Sequence, residues 1–409
     1  MLNITYEYRL YPSAQQAQLM TEWLTTCRKV YNYALAERRD WIKSRKCEVN
    51  ACSLHSEYII PVDALKPTYY LQKRNLTAAR KVIPTIGAVH SQVLQDVMGR
   101  LEKAFNALWN SGHGFPRFKK RFRSFTFPQL GKNPVGERTI KLPSIGEVSA
   151  TLHRPIPEGF EAKQARVIRR PSGWYVQLVL EANVEVPDIS PNGHALGIDV
   201  GLNSFVATSD GELIARPRFF VEAQHKLKLL NRAVSRKKKG SKNKLKARQK
   251  VSRFYERIAN RRKDFHRKTA HQLCDSAGMV FAEDLNLKGL AKGILGKHCL
   301  DAGWGAFLDT LAIVAWKRGV YFSKVPASGT SQECPACSAS VKKDLSIRVH
   351  SCPECGYETD RDIASGEVIR NRGLKAVGHI AYACRADLVA EAVKQENSRG
   401  NSREASAVP

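Results

Sequence analysis

Four cysteines stand in two pairs whose spacing suits a tetrahedral metal ion. Cys334 and Cys337 belong to CPAC, and Cys352 and Cys355 follow in CPEC after an interval of fourteen residues. Each pair can offer two thiolates to one ion, and the loop between the pairs is too short to form a core of its own. The pattern predicts a structural zinc ribbon with no open coordination position. Its chief alternative is an iron–sulfur or redox pair, which the symmetric spacing disfavours.

Acidic residues in three distant segments occupy positions where they could bind divalent cations. Asp199 ends the first predicted strand of ALGIDVGLNSFVATSDGELIA, and Glu283 ends the apolar strand of SAGMVFAEDLNLKGL. Asp362 lies on the first turn of the helix predicted in TDRDIASGEVIRN, with Asp360 as a second choice. Carboxylates that meet at one end of a sheet form an oxygen-rich site suited to Mg²⁺ or Mn²⁺. Two such ions can hold the attacking water and the leaving oxygen of a phosphodiester in line.

The combination of these acids predicts a metal-dependent nuclease, although each acid alone has another explanation. G-x-D-x-G around Asp199 also occurs in actin-like and sugar-kinase phosphate loops. Glu283 and Asp362 could instead be helix-start acids that the helix dipole favours. Gly197 and Gly201 would let a phosphate or a metal approach the backbone beside Asp199. With a basic segment between them, the acids together favour an RNase H-like (RuvC-type) core in which Asp199, Glu283 and Asp362 are the catalytic magnesium ligands, with Asp199 bridging both ions.

The charge of the chain requires a polyanionic partner. Its 409 residues carry 66 Lys and Arg against 38 Asp and Glu, a formal net charge of +28. Nucleic acid is the leading candidate, ahead of assembly into a ribosome-like particle or attraction to an anionic membrane. The absence of a long apolar run and of a signal region predicts a cytoplasmic protein without a membrane partner. The other six cysteines are scattered along the chain, which suits a reducing compartment.

Two segments concentrate charge that could contact phosphate. Residues 226–268 hold 19 of the 66 Lys and Arg against two acids, and Gly240 with Ser241 would break the segment into a helical hairpin over 222–274. The loop GHGFPRFKKRFRSF interleaves aromatic and cationic residues, which fits stacking on bases and fits a solvated structural loop equally well. The residues predicted to bind nucleic acid are Arg117, Lys119, Lys120, Arg236, Lys237, Lys238, Lys239, Lys242, Arg261 and Arg262.

The order of these segments predicts a multidomain α/β protein. Short alternating segments after residue 122 are typical of a small β-barrel or sandwich, which the strand in LNITYEYRLY could join. The helices between them would then be an insertion into a β module. The predicted boundaries are 1–12 for the first strand, 13–122 for the helical region, 123–188 for the rest of the β module, 189–330 and 358–372 for the nuclease core, 331–357 for the zinc ribbon, and 373–409 for a largely disordered C-terminal tail.

These segments together resemble the TnpB (OrfB) family of transposon-encoded nucleases, which is itself similar to the type V CRISPR effectors. The resemblance covers nearly the whole chain, and the segments that carry it are, in order, YRLYP, CRKVYNYAL, FPRFKKR, GIDVGLN, SRKKKGSKN, RIANRRKDFHRK, EDLNLKGL, TSQECPAC and DRDIASGEVI. Two positions depart from the pattern. The family usually continues its last acid as D-x-N-A-A, whereas Ile-Ala-Ser-Gly follows Asp362, and Ser338 stands where a glycine commonly follows the second cysteine.

The resemblance implies an RNA-guided DNA endonuclease. Such a protein carries a guide RNA transcribed from the transposon end and cleaves matching DNA beside a short flanking motif, and base pairing supplies the sequence choice. Asp199, Glu283 and Asp362 match the family's three metal-binding acids. The β module would be the wedge domain and the inserted helices the recognition lobe. The expected partners are guide RNA and target DNA, and the expected cofactors are catalytic Mg²⁺ (or Mn²⁺) and structural Zn²⁺.

Two other functions remain open from the sequence. One is a guide-RNA-dependent DNA-binding repressor that does not cut, and the presence of all three acids argues against it. The other is a transposase that joins strands on the same fold. A nuclease would leave broken DNA ends, whereas this transposase would leave joined ones. The sequence also leaves open whether the protein is a monomer or a homodimer.

Overall fold

The computed structural model describes residues 1–46, 60–61, 63–131, 133–186, 188–344 and 347–378. The chain forms two compact units, Met1–Val186 and Pro187–Pro409. Two of the scattered cysteines, Cys47 and Cys52, lie outside the described residues. Residues 379–409 of the predicted disordered tail also lie outside them.

The first unit is built around a six-stranded antiparallel sheet. Its strands are β1 (Leu2–Tyr11), β2 (Ser124–Phe127), β3 (Thr139–Leu142), β4 (Gly146–Thr151), β5 (Glu161–Arg170) and β6 (Gly173–Ala182). Their order in the sheet is β2-β5-β6-β1-β4-β3. The opening strand therefore lies in the middle of the sheet, paired with β6 on one side and β4 on the other. The helices that follow β1 are inserted between strands of one sheet.

The helices of this insertion begin with a capped turn. They are α1 (Ala14–Ser44), α2 (Tyr69–Val82), α3 (Pro84–Gly87) and α4 (Ser91–Ser111). Ser13 accepts a hydrogen bond from the backbone N–H of Gln16 at 3.2 Å, and the Gln16 side chain accepts one from the Ser13 N–H at 3.0 Å. This reciprocal pair satisfies two N–H groups that the helix itself cannot bond.

The predicted β-barrel is present as a half-barrel, because the sheet does not close. The edge strands β2 and β3 have four residues each, and within the described chain they do not pair with each other. Helices cover β2 instead. The indole of Trp23 packs on the rings of Phe125 and Phe127, with ring centroids 5.5 and 6.1 Å away. Because α1 and α4 pack on β2, the sheet stays open at that edge.

The second unit is built around a five-stranded mixed sheet. Its strands are β7 (Ala195–Asp199), β8 (Ser204–Thr208), β9 (Leu213–Ala215), β10 (Met279–Glu283) and β11 (Tyr321–Val325). Their order is β11-β10-β7-β8-β9. The first three strands form an antiparallel meander, whereas β10 and β11 run parallel to β7. β10 is buried along its whole length, as expected of a strand between two parallel neighbours.

Six helices accompany this sheet. They are α5 (Phe219–Ser235), α6 (Lys242–Ser276), α7 (Leu287–Leu290), α8 (Gly296–Ala302), α9 (Trp304–Arg318) and α10, which is helical over residues 361–378. α5 and α6 form a hairpin. Gly240 in its turn has a φ of 86°, and the hydroxyl of Ser241 caps α6 by accepting from the N–H of Lys244 at 3.1 Å. The glycine is required because a side chain is strained in this left-handed conformation.

α10 extends beyond the predicted start of the tail, so the prediction of disorder is wrong for residues 373–378. Gly373 lies directly over the ring of Phe281 in β10, where a Cβ would clash with it. Val377 packs against the same small core cluster. The sequence of residues 373–378 is largely polar, but the helix face with Gly373 and Val377 packs on the sheet.

One stretch of the described chain, Gly296–Arg318, is long and apolar enough to cross a membrane by length and composition. In the fold it consists of α8 and α9, separated by Gly303 with a φ of 70°. Phe307 and Leu311 of α9 are fully buried in the core cluster that also contains Val280 of β10. Packing against the sheet therefore accounts for part of its apolar residues, whereas Leu300, Ile313 and Trp316 are exposed.

Candidate functional site

Two of the predicted acids end neighbouring parallel strands. β7 and β10 pair in parallel, with Ile198 opposite Ala282, and Asp199 and Glu283 are the next residues on each strand. The carboxyl ends of parallel neighbours meet at one edge of a sheet, so these acids lie side by side. Glu283 is only 8% exposed, whereas Asp199 keeps part of its surface open to solvent.

The third acid comes from the start of α10. The Oδ2 atom of Asp362 lies 3.8 Å from the position that a Cβ on Gly201 would occupy, just after β7. Asp360, the second choice for the third metal-binding acid, is instead the N-cap of α10. Its Oδ1 accepts from the backbone N–H of Asp362 at 2.8 Å and of Ile363 at 3.4 Å. Asp360 therefore positions the helix, and Asp362 is the acid beside the β7 loop.

The three carboxylates affect one another electrostatically. Burial, followed by the negative charges of Glu283 and Asp362, raises the pKa of Asp199 to about 8. Burial also raises the pKa of Glu283 and that of Asp362, and the charge of Asp360 adds to the latter effect. The structure thus brings Glu283 and Asp362 each within electrostatic reach of Asp199. A recess that holds several carboxylates disfavours their charge unless a cation joins them.

A threonine of the loop before the ribbon holds one of these acids. The hydroxyl of Thr330 donates to Oε1 of Glu283, and Thr330 is 4% exposed. Arg372 of α10 fixes the same loop by donating to the carbonyl oxygens of Pro326 and Ser328 at 2.7 and 2.8 Å. Its positive charge also counteracts the rise in the pKa of Glu283. The sequence prediction did not include Thr330. Its position at the start of the quoted segment TSQECPAC could have drawn attention to it.

Two arginines bring positive charge to the acids. Arg348 and Arg361 both counteract the rise in the pKa of Asp362, and Arg361 does the same for Asp199. The Arg361 N–H donates to the Arg348 carbonyl at 2.7 Å, beside the strand pair of the cysteine ribbon. With its amide oxygen turned toward Arg348, Asn203 accepts from the guanidinium Nη2 at 2.8 Å. The sequence prediction included neither arginine.

The four cysteines converge at one point. The Sγ atoms of Cys334 and Cys355 lie 3.6 Å apart, as do those of Cys337 and Cys352. All four Sγ atoms lie within 4.8 Å of one another, and among the described residues this is the group that meets the geometry of a metal site. Tetrahedral Zn–S bonds of about 2.3 Å put sulfurs about 3.8 Å apart. The donor set and its spacing therefore fit a zinc ion.

Local backbone geometry prepares the cysteine pairs. Strands β12 (Val349–Ser351) and β13 (Glu358–Asp360) form a hairpin that carries the second pair. Backbone N–H groups of Cys355 and Glu354 lower the pKa of the Cys352 thiol to about 7, which favours the thiolate that binds metal. Gly356 has a φ of 71°, and Ser338, the departure from the family pattern, has a φ of 63°. A left-handed backbone explains why glycine is common at that position.

The predicted role of Gly197 is wrong. A Cβ on Gly197 would clash with the carbonyl oxygen of Gly366, so this glycine admits helix α10 and not a phosphate or a metal. A Cβ on Gly366 would in turn lie 3.0 Å from the N atom of Ser209. Small residues after Asp362 are therefore required by close packing of α10 on β7 and β8. Ile-Ala-Ser-Gly meets that requirement.

Most of the residues predicted to bind nucleic acid are exposed. Arg236, Lys237, Lys238 and Lys239 occupy the turn between α5 and α6, Lys242 begins α6, and Arg261 lies on its exposed face. Arg262 differs from them. Its guanidinium lies 3.3 Å from Asp301, which is 2% exposed and also accepts from the backbone N–H of Phe220 at the start of α5. This pairing gives Arg262 a structural role.

The aromatic and basic loop is anchored by its own rings and backbone. Phe118 lies under the guanidinium of Arg39, 4.8 Å from ring centroid to Cζ, and the backbone of Lys119 bonds the side-chain amide of Asn32 at 2.8 and 3.0 Å. The charged side chains of Arg117, Lys119 and Lys120 are exposed. The rings therefore serve mainly to hold the loop, which leaves the charges to face solvent or a partner.

Three family models match the chain. A helix-turn-helix domain of OrfB (IS605) matches residues 1–47, a probable transposase, also OrfB (IS605), matches 177–293, and a Cas12f1-like TNB domain matches 304–369. The last match contains the four cysteines and Asp362, and the second ends beyond Glu283. Within the described residues, the first match corresponds to β1 and α1.

Relatives of similar length are known. A candidate RNA-guided DNA endonuclease of Escherichia coli, InsQ, is 27% identical over 398 residues and covers 93% of this chain and 93% of its own length. A protein of Streptomyces pristinaespiralis with the same description is 29% identical over 393 residues, covering 93% of this chain and 90% of itself. A Cas12f1 chain solved with sgRNA and target DNA covers 90% of this chain and 98% of its own, with a TM-score of 0.53 and 14% identity.

The fold and the inserted cysteine ribbon define the class of this protein. Its arrangement of elements is similar to that of Cas12f1, and at 14% identity that likeness concerns the fold alone. The family models and the two full-length relatives agree with the motifs of the sequence. The chain is similar to the TnpB (OrfB) family of transposon-encoded proteins.

Proposed function

We propose that this protein is an RNA-guided, metal-dependent DNA endonuclease whose cutting site consists of Asp199, Glu283 and Asp362. The observation that carries the proposal is the convergence of three acids from distant segments, which is expressed in the pKa of Asp199 near 8. The names of the two full-length relatives support the guided part. Strongly shifted carboxylates at the end of a sheet are typical of functional sites.

The second unit supports an RNase H-like (RuvC-type) core. A meander of three strands is followed by two parallel strands on the other side of β7, and acids end the first and fourth strands of this sheet. Within this proposal, residues 189–330 and 358–372 are the nuclease core and 331–357 the zinc ribbon. The sheet and helices of the first unit are the wedge domain and the recognition lobe.

The three acids suit divalent cations by the chemistry of their donor atoms, although among the described residues their spacing does not meet the metal-site geometry that the cysteines meet. Three carboxylates supply the oxygen ligands that Mg²⁺ and Mn²⁺ prefer, and their raised pKa values report charge that a cation would neutralise. When bound, two such ions would activate the attacking water and stabilise the leaving oxygen of a phosphodiester. Asp199, Glu283 and Asp362 would hold these ions, with Asp199 as a ligand of both.

Residues around the acids have positioning and charge-balancing roles. Thr330 holds one oxygen of Glu283 and leaves the other available. Arg348 and Arg361 would contact the non-bridging oxygens of the scissile phosphate, because they already lie near Asp362 and guanidinium pairs well with phosphate. Hydrolysis then breaks the P–O bond to the leaving oxygen and forms a P–O bond to water. A structural zinc ion at Cys334, Cys337, Cys352 and Cys355 would hold the ribbon that carries Arg348.

Identification of the bound nucleic acid tests the guided function directly. The full-length protein is purified from cells that carry its flanking transposon DNA, and the RNA that accompanies it is sequenced. A discrete RNA that directs Mg²⁺-dependent cleavage of matching DNA is expected. Absence of any discrete RNA would refute guidance while leaving nuclease activity to be tested separately. We propose that the protein meets its guide RNA and target DNA in the cytoplasm.

The description of one matching model as a probable transposase favours strand joining as a second candidate function. The same acids could serve both reactions, since each requires activation of an oxygen nucleophile next to phosphate. The products separate them. Cleavage gives DNA with new ends, whereas a transposase gives joined molecules that are visible as larger products on a denaturing gel.

Replacement of Thr330 tests the positioning of Glu283. Thr330→Val keeps the shape of the side chain and removes the hydroxyl that donates to the carboxylate. We expect the Mg²⁺ concentration that gives half-maximal cleavage to rise about tenfold or more, because residues that orient metal ligands commonly contribute that much to metal affinity. Thr330→Ser keeps the hydroxyl and is the matched control. Identical Mg²⁺ curves for the valine and serine variants would contradict the role.

A further inference from the structure

A groove along α5 contains none of the acids of the proposed cutting site. It has a volume of about 810 Å³ and is open to solvent, and its walls come mainly from α5, with Tyr255 of α6 and Lys297 of α8. Its lining extends to Ser235 at the end of α5 but includes none of the turn residues 236–239 that the sequence singled out. The groove is therefore a feature of the hairpin that the proposed cutting site does not use.

The lining of the groove is cationic. Lys228, Arg232 and Lys297 contribute exposed side chains, and no aspartate or glutamate is among the lining residues. Asp301, on the same short helix as Lys297, is buried and bonded to Arg262 and to the N–H of Phe220. Its charge is therefore already paired. A groove with three cations and no lining acid is complementary to phosphate.

Two aromatic rings form one end of the groove. The rings of Phe220 and Tyr255 are nearly parallel, with an interplanar angle of 21° and centroids 6.5 Å apart. Tyr255 is 45% exposed, so core packing leaves a large part of its surface in contact with solvent. The buried core between α5 and α6 is formed by Phe219, Leu227 and Ile258, with Phe220 and Phe254 packed against it, and Tyr255 is not part of it. The exposed ring of Tyr255 is thus available to a ligand.

Two side-chain amides line the groove on the same face of α5. Gln224 and Asn231 are seven residues apart, which places them about two helical turns from each other on one side of the helix. Each amide offers both donors and an acceptor. Planar rings, amides and cations together match the three parts of a nucleotide, which are the base, its polar edge or sugar, and the phosphate.

We propose that this groove binds an unpaired nucleotide of a nucleic-acid strand, with the base against Tyr255 and the neighbouring phosphates on Lys228 and Arg232. The proposal rests on the proposed function in one respect, that the protein acts on nucleic acid. An unpaired base is required, because a ring can stack on a base only where its face is not covered by neighbouring bases. The strand comes either from the guide RNA or from DNA opened at the target.

Binding of short single strands tests the contact. The full-length protein, stripped of co-purifying RNA, is titrated with fluorescent oligothymidine and oligouridine of about twelve nucleotides, within the usual site sizes of such grooves. Tyr255→Leu is expected to lose about tenfold in affinity, the scale of one stacked base. The slope of affinity against salt should not change. Tyr255→Phe keeps the ring and is the control that should bind normally.

The cations give a different signature. Lys228→Gln combined with Arg232→Gln should reduce the slope of log affinity against log salt by about 1.4, at roughly 0.7 for each phosphate contact on a single strand. Two results would overturn the proposal: wild-type affinity in Tyr255→Leu, or an equal loss for single-stranded and duplex DNA of the same sequence. Circular dichroism melting of each variant separates these results from misfolding. Because no guide or cleavage is involved, the measurement is valid even if guided cutting fails.

Photocrosslinking distinguishes the two sources of the strand. Cells expressing the protein are fed 4-thiouridine and irradiated, and in a separate arm the purified RNA complex is irradiated with target DNA containing 5-iodouracil. A crosslink on the peptide that contains Tyr255 in the first arm assigns the groove to RNA, and a crosslink in the second assigns it to DNA. Either result supports the proposal. Absence of a crosslink on this peptide in both arms would overturn it.

Discussion

Asp199→Ala is expected to abolish DNA cleavage and to leave binding of guide RNA and DNA nearly unchanged. The variant removes a ligand that would serve both catalytic ions but no contact to phosphate. Metal ions stabilise the transition state of phosphodiester hydrolysis by several kcal/mol, so loss of their ligand should slow cutting by about a thousandfold or more. Single-turnover cleavage in Mg²⁺ measures the rate, and gel-shift titration of the same complex measures binding.

Asp284→Ala is the matched control for this experiment. Asp284 follows Glu283 directly, but its side chain is 72% exposed and lies 3.8 Å from Lys324. Loss of this carboxylate should leave cleavage near the wild-type rate, because it faces solvent at the edge of the recess. Substantial cleavage by Asp199→Ala, or equal loss in both variants, would contradict the assignment of the site.

Asp199→Asn tests the raised pKa of Asp199 by a measurement that is independent of cleavage. The pKa of Asp199 is about 8 in the folded protein and about 3.9 in an unfolded chain. Between these values the folded state binds the extra proton, so its stabilising effect is complete below the lower value and is lost as pH rises through 8. In Mg²⁺-free buffer, the melting temperature of the wild type should therefore fall from pH 6 to 9 more than that of Asp199→Asn. Added Mg²⁺ should reduce this difference.

Cys352→Ser is expected to release the zinc ion and to lower the melting temperature and the yield of soluble protein. Four sulfurs that lie within 4.8 Å of one another would be held together mainly by a zinc ion, since the loop between the pairs has little core. Binding of structural zinc is coupled to folding, with apparent free energies of about 10 kcal/mol or more in small zinc modules. Zinc content by mass spectrometry and melting by scanning calorimetry measure the two effects.

The ribbon also connects to the proposed cutting site, so cleavage should fall with zinc. Arg348, the residue directly before β12 of the ribbon, lies near Asp362, and the loop that leads into Cys334 carries Thr330. Cys299→Ser is the matched control, because Cys299 is a free, partly exposed cysteine of α8 outside the ribbon. It should retain zinc and cleavage. A wild-type melting curve and zinc content in Cys352→Ser would exclude the structural zinc site.

Several features of this fold could be predicted because their signals are local. The two C-x2-C pairs converge as their spacing predicts, and the segment around Asp199 forms a strand, a turn and two further strands. Gly240 and Ser241 divide the basic segment into two helices. Each signal depends on residues a few positions apart, where backbone geometry and the type of residue decide the structure. The catalytic role of the acids remains a prediction that Asp199→Ala tests.

The sequence by itself determined the ribbon, the strand ends that carry Asp199 and Glu283, and a charge that requires a polyanionic partner. Only the tertiary structure decided that β1 is central in an open sheet, that Gly197 admits α10, and that Arg262 is paired with buried Asp301. It also brought Thr330 to Glu283 across 47 residues of chain. Contacts between distant segments depend on how helices and sheets pack, and that packing cannot be predicted from the spacing of residues a few positions apart.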